Sequence, residues 1–367
     1  MKIVVISCHP LQDNRISKMI RTVLEYGHSV VYINSSSQKE CSENWFGQIK
    51  VVQFDVDFVK KNLFEGLDVL RRIAKTVKKE RPDIVHIHDP YMLPILKISK
   101  KIGAKTVYDK HEAFEVLGGI SGKLAKILEV IYKKKVDGVV YVAKPQEHYL
   151  AKCGYKNQVY IPNYQSRALF EDVTIQKRNG IQLFYAGDLS NATRNTSLML
   201  MLMNKTLAEF DNTRFVLAGK TTDEEIVQQI KELEQYGDRF QYVPYMLYHD
   251  VIKNTKESDI GLYLTKFDLN NIGSSPNKIN EYLLAGIAVF SQGRYADWEQ
   301  IDGKAGRVYD YDAKFDEMYR GLKEMIQDSD KLCLMKEKSK VLGVQRTWEM
   351  VESRYQDLYE QIMDEEK

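Results

Sequence analysis

At 367 residues the chain exceeds one typical core and suits two domains of ordinary size. Hydrophobic residues at 44% and charged residues at 28% exclude a disordered or fibrous class, and no apolar run approaches the roughly 18–20 residues of a membrane-spanning helix. The net charge of +2 hides an asymmetry. Residues 1–165 carry 27 Lys and Arg against 17 Asp and Glu, a net +10, whereas the remainder carries 26 against 34, a net −8. One half is therefore expected to face something anionic, with nucleic acid, an anionic membrane surface and a phosphorylated acceptor all fitting.

In chain order, Lys2–Ser7 reads as a strand too short in its apolar stretch for a signal peptide. Asn14–Tyr26 follows as a helix with Ile16, Met19, Ile20 and Val23 at helical spacing, closed by Gly27-His28, and Ser29–Asn34 is the next strand. Leu67–Lys79 is a basic helix ended by Arg81-Pro82. Asp83–His88 is a strand, Pro94–Lys101 a helix, Lys105–Asp109 a strand, Leu124–Lys135 a helix and Gly138–Val142 a strand. Such alternation predicts βαβ units and a parallel sheet. The pattern stops near Ile161-Pro162-Asn163, and the polar stretch to about Asn179 reads as an interdomain linker. A second α/β series then runs through Ile181–Ala186, Thr196–Lys205, Arg214–Ala218, Glu224–Tyr236, Phe240–Val243, Ile260–Leu264, Lys278–Leu284 and Ala288–Ser291. The tail from about Thr347 to Lys367 reads as one long helix. The fold class is thus α/β, with two Rossmann-like parallel-sheet domains, 1–165 and 180–346, facing a cleft at the carboxyl ends of their strands.

The four cysteines, Cys8, Cys41, Cys153 and Cys333, have no metal-ligand spacing and fit reduced thiols of a cytoplasmic protein. No GxGxxG follows the first strand, where the loop reads Cys8-His9-Pro10-Leu11, so a simple dehydrogenase is not expected. His86 and His88 share one face of a strand and Asp89 follows, which permits a metal-ligand or a cleft-lining reading; without a third ligand at an obvious spacing no metal is expected. The D-x-D strings Asp55-Val56-Asp57, Asp310-Tyr311-Asp312 and Asp328-Ser329-Asp330 read as solvated carboxylates. The helix around Lys123–Lys135 has Leu124, Ile127, Leu128 and Ile131 on one face and Lys123, Lys126, Lys133, Lys134 and Lys135 elsewhere. It either packs that face into the core or lies on an anionic membrane. No nucleic-acid recognition motif is present.

The most informative segment is Gly273-Ser274-Ser275-Pro276-Asn277-Lys278-Ile279-Asn280-Glu281-Tyr282. Small residues and a proline before a helix leave backbone amides and a positive dipole end for an anion such as a diphosphate, with Lys278 adding a charge and Glu281 able to accept two ribose hydroxyls. The same residues also fit an ordinary capped helix with solvated polar groups. Here the sequence resembles family 4 of the glycosyltransferases, which have the two-lobed GT-B fold. Ser275-Pro276-Asn277-Lys278…Glu281-Tyr282…Ala285-Gly286…Val289 looks like the family's donor-binding stretch, with Glu281 at the second glutamate of its E-x7-E motif. Asp13-x-Arg15 and Gly27-His28-Ser29-Val30 look like its first βα unit. Asp83–Asp89 and Tyr108-Asp109-Lys110-His111-Glu112 resemble later strand ends of its first domain, while Phe184-Tyr185-Ala186-Gly187-Asp188 and Val216-Leu217-Ala218-Gly219 resemble the opening of its nucleotide-binding domain.

The resemblance implies a retaining, metal-independent transfer of a sugar from a nucleotide-diphosphate sugar to a saccharide or lipid-linked acceptor, as in polysaccharide or glycoconjugate assembly. No cofactor is implied, because the nucleotide sugar is a substrate. His111 and Glu112 are the implied catalytic-side residues, with His111 on the donor sugar and Glu112 on an acceptor hydroxyl. Arg194, Gly273, Ser274, Ser275, Asn277, Lys278 and Glu281 would bind the donor, and the amides of Ser274 and Ser275 would join Arg194 and Lys278 on the diphosphate. His9, Asp13, Arg15 and His88 would line the acceptor side or cleft. A cytoplasmic location is expected, with peripheral contact to the inner face of a membrane through the basic domain, and the tail helix is expected to cross back onto the first domain. Two departures stand out: the first E-x7-E glutamate falls at Gly273, and the arginine expected after Gly187 is Asp188. They motivate a rival, a homologue that binds nucleotide sugar or a partner without turnover; a nucleotide-sugar epimerase of the same fold is a second.

Overall fold

A computed structural model describes residues 1–35, 49–54, 63–111, 119–176 and 178–365. The chain divides into two compact units, Met1–Pro162 with Val351–Lys367, and Asn163–Met350. The first unit runs β1 (Lys2–Ser7), α1 (Asn14–Glu25), β2 (Ser29–Asn34), β3 (Lys50–Gln53), α2 (Leu63–Glu80), β4 (Ile84–Ile87), α3 (Leu96–Lys101), β5 (Lys105–Lys110), α4 (Gly119–Tyr132), β6 (Gly138–Tyr141), α5 (Lys144–Cys153) and β7 (Gln158–Tyr160). The second runs α6 (Arg167–Glu171), β8 (Ile181–Ala186), α7 (Thr196–Glu209), β9 (Thr213–Ala218), α8 (Glu224–Leu233), β10 (Phe240–Val243), α9 (Tyr248–Glu257), β11 (Ile260–Leu264), α10 (Asn277–Ala285), β12 (Ala288–Gln292), β13 (Gly306–Tyr309), α11 (Phe315–Gln327) and α12 (Ser329–Val344); α13 (Ser353–Asp364) then rejoins the first unit.

Among the described residues the first sheet has the order β3-β2-β1-β4-β5-β6-β7 and the second β10-β9-β8-β11-β12-β13. The strand pairs of both sheets are parallel. Each is a doubly wound sheet whose order reverses once, between β1 and β4 and between β8 and β11, which leaves a crevice at the carboxyl ends there. The strands read as continuous apolar runs because helices cover both faces: Ile3, Val4, Val5 and Ile6 of β1 are all fully buried.

The predicted strands and most of the predicted helices are present. The sequence reading missed β3, β7, β13 and helices α5, α9, α11 and α12. The stretch read as a linker contains α6, and its Phe170 and Val173 pack with Ile252 of α9. The single tail helix is a correction: Thr347 bridges Gln165, the buried Trp348 donates its amide to the Gln165 carbonyl, a short 3-10 turn spans Trp348–Met350, and the α-helix begins only at Ser353. The remaining helix, α13, does return to the first unit, burying Tyr355, Leu358, Tyr359 and Ile362 at i, i+3, i+4 and i+7. It seats on β6 at Gly138, where a Cβ would lie 2.8 Å from Leu358, and on α1 through a 2.9 Å hydrogen bond from Thr22 to Glu352. This return changes the charge balance. The first unit holds 29 Lys and Arg against 23 Asp and Glu, a net +6, because the tail is acidic.

Of the D-x-D strings, Asp55–Asp57 lies outside the described residues. Asp310 pairs with Arg294, and Asp328 caps α12 by accepting the Lys331 amide at 2.9 Å. Among the described residues, no helix is long and apolar enough to cross a membrane.

Candidate functional site

The switch point of the first sheet is built from the carboxyl ends of β1 and β4. Asp89, just past β4, accepts hydrogen bonds from the Ser7 hydroxyl at 3.0 Å and the Cys8 amide at 2.7 Å, and one of its oxygens lies 3.4 Å from His9 Nε2. Burial raises the Asp89 carboxyl, but the contacts from His9 and Cys8 outweigh it and hold the group below its ordinary value. The His9 side chain is half exposed. Asp13 is the N-cap of α1, accepting the amides of Arg15 at 3.0 Å and Ile16 at 3.2 Å.

Beneath this edge lies a buried polar core. Arg15 grips Asp109, at the end of β5, through Nε at 3.1 Å and Nη2 at 2.9 and 3.2 Å, and its Nη1 donates to the Ile161 carbonyl at 3.0 Å. Tyr355 of α13 donates to the same carboxylate at 2.8 Å, and Tyr359 contacts His86 Nδ1 at 2.7 Å. His86 and His88, two residues apart on one face of the strand and its end, stack with ring centroids 4.8 Å apart. His88 Nδ1 contacts His111 Nε2 at 2.7 Å, and that nitrogen lies 3.4 Å from Asp109. This leaves Nδ1 as the other ring atom of His111. Burial works to raise the Asp109 carboxyl, yet the Arg15 guanidinium, with His111 and His86, holds it well below the carboxylate range. Burial pushes His88 well below, and His111 below, the ordinary imidazole value, so both rings are neutral near pH 7.

Among the described residues, His86, His88 and Asp109 form the one group whose potential metal-ligand atoms lie within 4.8 Å of one another. It differs from the grouping with Asp89 considered from sequence, because Asp89 turns instead to Ser7, Cys8 and His9. Both oxygens of Asp109 already serve Arg15 and Tyr355, and an adjacent guanidinium opposes a cation. The group fits a hydrogen-bond network better than a metal site.

In the second unit the edge between β8 and β11 carries the other candidates. Arg194 bridges Thr265 just past β11 and its guanidinium lies 5.5 Å from the Tyr263 ring centroid. The loop from β11 then turns through Gly273 into α10. Gly273 has φ +65°, in the left-handed region, and its amide donates to the Arg294 carbonyl at 2.8 Å. A glutamate there would be strained, which is a physical reason for glycine where the E-x7-E pattern has its first acid. No side chain caps α10, whose preceding residue is Pro276, and its first turn holds no acid. That leaves its amides and positive end available to an anion. The Ser275 side chain is nearly buried and accepts from Asn280 Nδ2 at 3.1 Å. The Ser274 amide, expected on the diphosphate, instead donates to the Asn271 carbonyl at 3.3 Å, because the loop closes a turn there.

Glu281 is 3% exposed; one oxygen accepts from Lys278 Nζ at 2.8 Å and the other from the Tyr248 hydroxyl at 3.3 Å. Tyr248 also donates to Gln165 at 3.1 Å, and Gln165 donates to Asn277 Oδ1 at 3.1 Å. Asp188 accepts from Ser190 and Thr193, both at 2.9 Å, so it organises its own loop.

The structure thus brings together Lys278, Glu281 and Asn277, and separately His9, Asp13, Arg15, His88 and His111, each set on one sheet edge. Glu112 lies outside the described residues. Arg15 is buried on Asp109 rather than presented at the surface. Sequence reasoning quoted Asp109 without a role and missed Tyr248, Gln165, Tyr355 and Tyr359. A charged residue ending an apolar strand was the available signal for Asp109, and tyrosines four apart on an amphipathic tail for the last two.

Residues 14–164 match the family described as Glycosyltransferase Family 4. No curated protein matches the chain. Among solved structures it is similar to a glycosyltransferase from Rickettsia africae ESF-5, at 16% identity and a TM-score of 0.74 over 99% of this chain and 98% of that one. It is likewise similar to sucrose-phosphate synthase from Thermosynechococcus elongatus, at 14% identity and a TM-score of 0.73 over 100% of both chains. HepE of Anabaena in complex with UDP-glucose has 15% identity and a TM-score of 0.72, over 99% of this chain and 100% of that one. At such identities the likeness is one of fold.

Proposed function

From a chain of GT-B fold whose residues 14–164 carry a glycosyltransferase family 4 match, we propose a transferase that moves a sugar from a nucleotide-diphosphate sugar to a saccharide or lipid-linked acceptor. The observation that carries this reading is the uncapped start of α10 beside Lys278 and the buried carboxylate of Glu281. The amides of α10 and Lys278 would take the diphosphate, with Arg194 on the same edge, and Glu281 would accept the ribose hydroxyls. Charge that develops on the leaving diphosphate would meet fixed donors, which supports a metal-independent route. The reaction is proposed to retain anomeric configuration, with the leaving phosphate taking the acceptor proton. On the first unit, His111, neutral and tied to His88 through Nε2, would offer Nδ1 to the sugar. Polysaccharide or glycoconjugate assembly is the proposed setting.

The test is a panel of UDP-, GDP- and ADP-sugars, followed for binding and nucleotide release with and without chelator and an acceptor extract. Chelator-resistant, acceptor-dependent release is expected. Glu281→Ala should weaken donor binding by about 10–100-fold, since hydrogen bonds to a charged group contribute about 1.5–3 kcal/mol. Gly273 and the self-contained Asp188 loop favour the second reading, a binding protein without turnover. Tight, Glu281-dependent binding without release would select it, and an absence of binding to every donor would overturn both.

A further inference from the structure

Helix α4 sits inverted relative to its own amphipathic pattern. Its inward face is Gly122, Ala125, Glu129 and Tyr132, all buried. The anchor is polar: the fully buried Glu129 carboxylate accepts from Lys110 Nζ at 2.6 Å, the Tyr108 hydroxyl at 2.9 Å and the Tyr149 hydroxyl at 3.0 Å. Of the four apolar residues that the sequence groups on one face, Leu124, Ile127, Leu128 and Ile131, only Leu128 packs against the core. Ile120, Leu124, Ile127 and Ile131, at i, i+4, i+7 and i+11, form a stripe on the opposite side and are 88%, 45%, 54% and 59% exposed, with Val130 beside them at 47%. Exposed apolar residues scattered singly need no explanation, but a contiguous stripe about 16 Å long marks an interaction surface.

The charges around the stripe identify its occupant. Lys123 and Lys126 are exposed along the helix, and Lys133, Lys134 and Lys135 form the turn that follows it. A second copy of the chain packed on this stripe by a two-fold contact would set these lysines against themselves. A bilayer with anionic headgroups suits both features at once, apolar side chains entering the interface and ammonium groups meeting the headgroups. We propose that α4 docks the first unit onto an anionic membrane surface through Ile120, Leu124, Ile127 and Ile131. The consequence, that the acceptor is presented at a membrane, rests on the transfer proposed above; the docking itself does not.

The experiment is co-sedimentation of the full chain with vesicles of phosphatidylcholine alone or with phosphatidylglycerol. Binding is expected only to the anionic vesicles, falling as salt rises. Ile127→Asp/Ile131→Asp should lower the partition coefficient by about tenfold or more, and Lys123→Glu/Lys126→Glu should lower it similarly. Circular dichroism and nucleotide-sugar binding should be unchanged in both variants, since these side chains are exposed. Loss of donor binding in the parent protein would sink the transfer proposal and leave the docking standing. Failure of the parent protein to sediment with anionic vesicles, or equal sedimentation of the Ile127→Asp/Ile131→Asp variant, would overturn the docking. So would a parent dimer in solution that this variant converts to monomer, which would assign the stripe to a second copy.

Discussion

Asp109→Asn tests whether the buried network beneath the first sheet edge is held by charge pairing. The substitution keeps the shape and leaves an oxygen for the Tyr355 hydroxyl, but it removes the carboxylate that Arg15 grips through three contacts of 2.9–3.2 Å. Arg15 is 6% exposed, so its guanidinium would remain in the interior without a counter-charge. Removing one partner of such a pair costs about 3–5 kcal/mol, a large share of the roughly 5–15 kcal/mol that holds a typical domain folded. With a urea dependence of about 2 kcal/mol per molar, the first unit's midpoint should fall by about 1.5–2.5 M. Urea unfolding followed by circular dichroism measures this. Adding Arg15→Met to Asp109→Asn should restore part of the loss, because the double variant buries no charge from this pair. A midpoint shift below about 0.5 M for Asp109→Asn alone would refute the reasoning, since it would mean that Arg15 finds water or another acceptor at no cost.

Three further outcomes follow from the same contacts. His88 and His111 titrate below the ordinary imidazole value of 6.5 in the folded chain, so the unfolded chain binds more protons below that pH; stability should hold above about pH 6.5 and fall toward pH 5.5. His88→Gln should flatten that slope in urea midpoints measured across the range; the Asp109 carboxyl's own titration contributes stability that is present above its ordinary 3.8 and lost only as pH falls below it, outside that window. Gly273→Glu, which restores the missing acid, should lower the stability of the second unit by about 1–2 kcal/mol by forcing a side chain into a left-handed backbone, read as a drop in its melting temperature. Tyr248→Phe removes a hydroxyl from Glu281 and Gln165 and should weaken nucleotide-sugar binding by about 2–10-fold in calorimetry, with folding intact.

The two sheets were legible because their strands are unbroken apolar runs separated by helical periods, and fully covered parallel strands leave that signature. What the sequence concealed follows from the same physics. The α4 stripe could be read either as a core face or as a membrane face, because periodicity reports that apolar residues share a side, not which side turns inward. The direction was decided by Glu129, whose partners Lys110, Tyr108 and Tyr149 come from elsewhere in the chain. The break near Thr347 was hidden because the residues around it suit a helix, and what holds Thr347 in a bridge and limits Trp348–Met350 to a short 3-10 turn includes a pairing with Gln165, far away in sequence. The start of α10 was readable from Ser-Pro-Asn-Lys alone, since a proline and small residues before a helix act locally. Tyr248 was not, because its contact with Glu281 depends on α9 lying beside α10.

The two sheet edges differ in how far the chain satisfies them, and that difference bears on function. At the first, Asp89 is already bonded to Ser7, Cys8 and His9, and Asp109 to Arg15 and Tyr355, so the edge is a braced platform whose rings and carboxylates are fixed before any ligand arrives. At the second, α10 begins without a side-chain cap, and the cation nearest its start, Lys278, is held by Glu281 at 2.8 Å. A diphosphate at that helix end would draw Lys278 away and free the Glu281 oxygen for a hydroxyl in the same step, so the two halves of a nucleotide would each remove an obstacle to the other. A lone anion or a lone nucleoside gains only one of those exchanges. On the proposed reading, the arrangement would favour a ligand that carries both a diphosphate and a ribose, through two residues three positions apart on one helix.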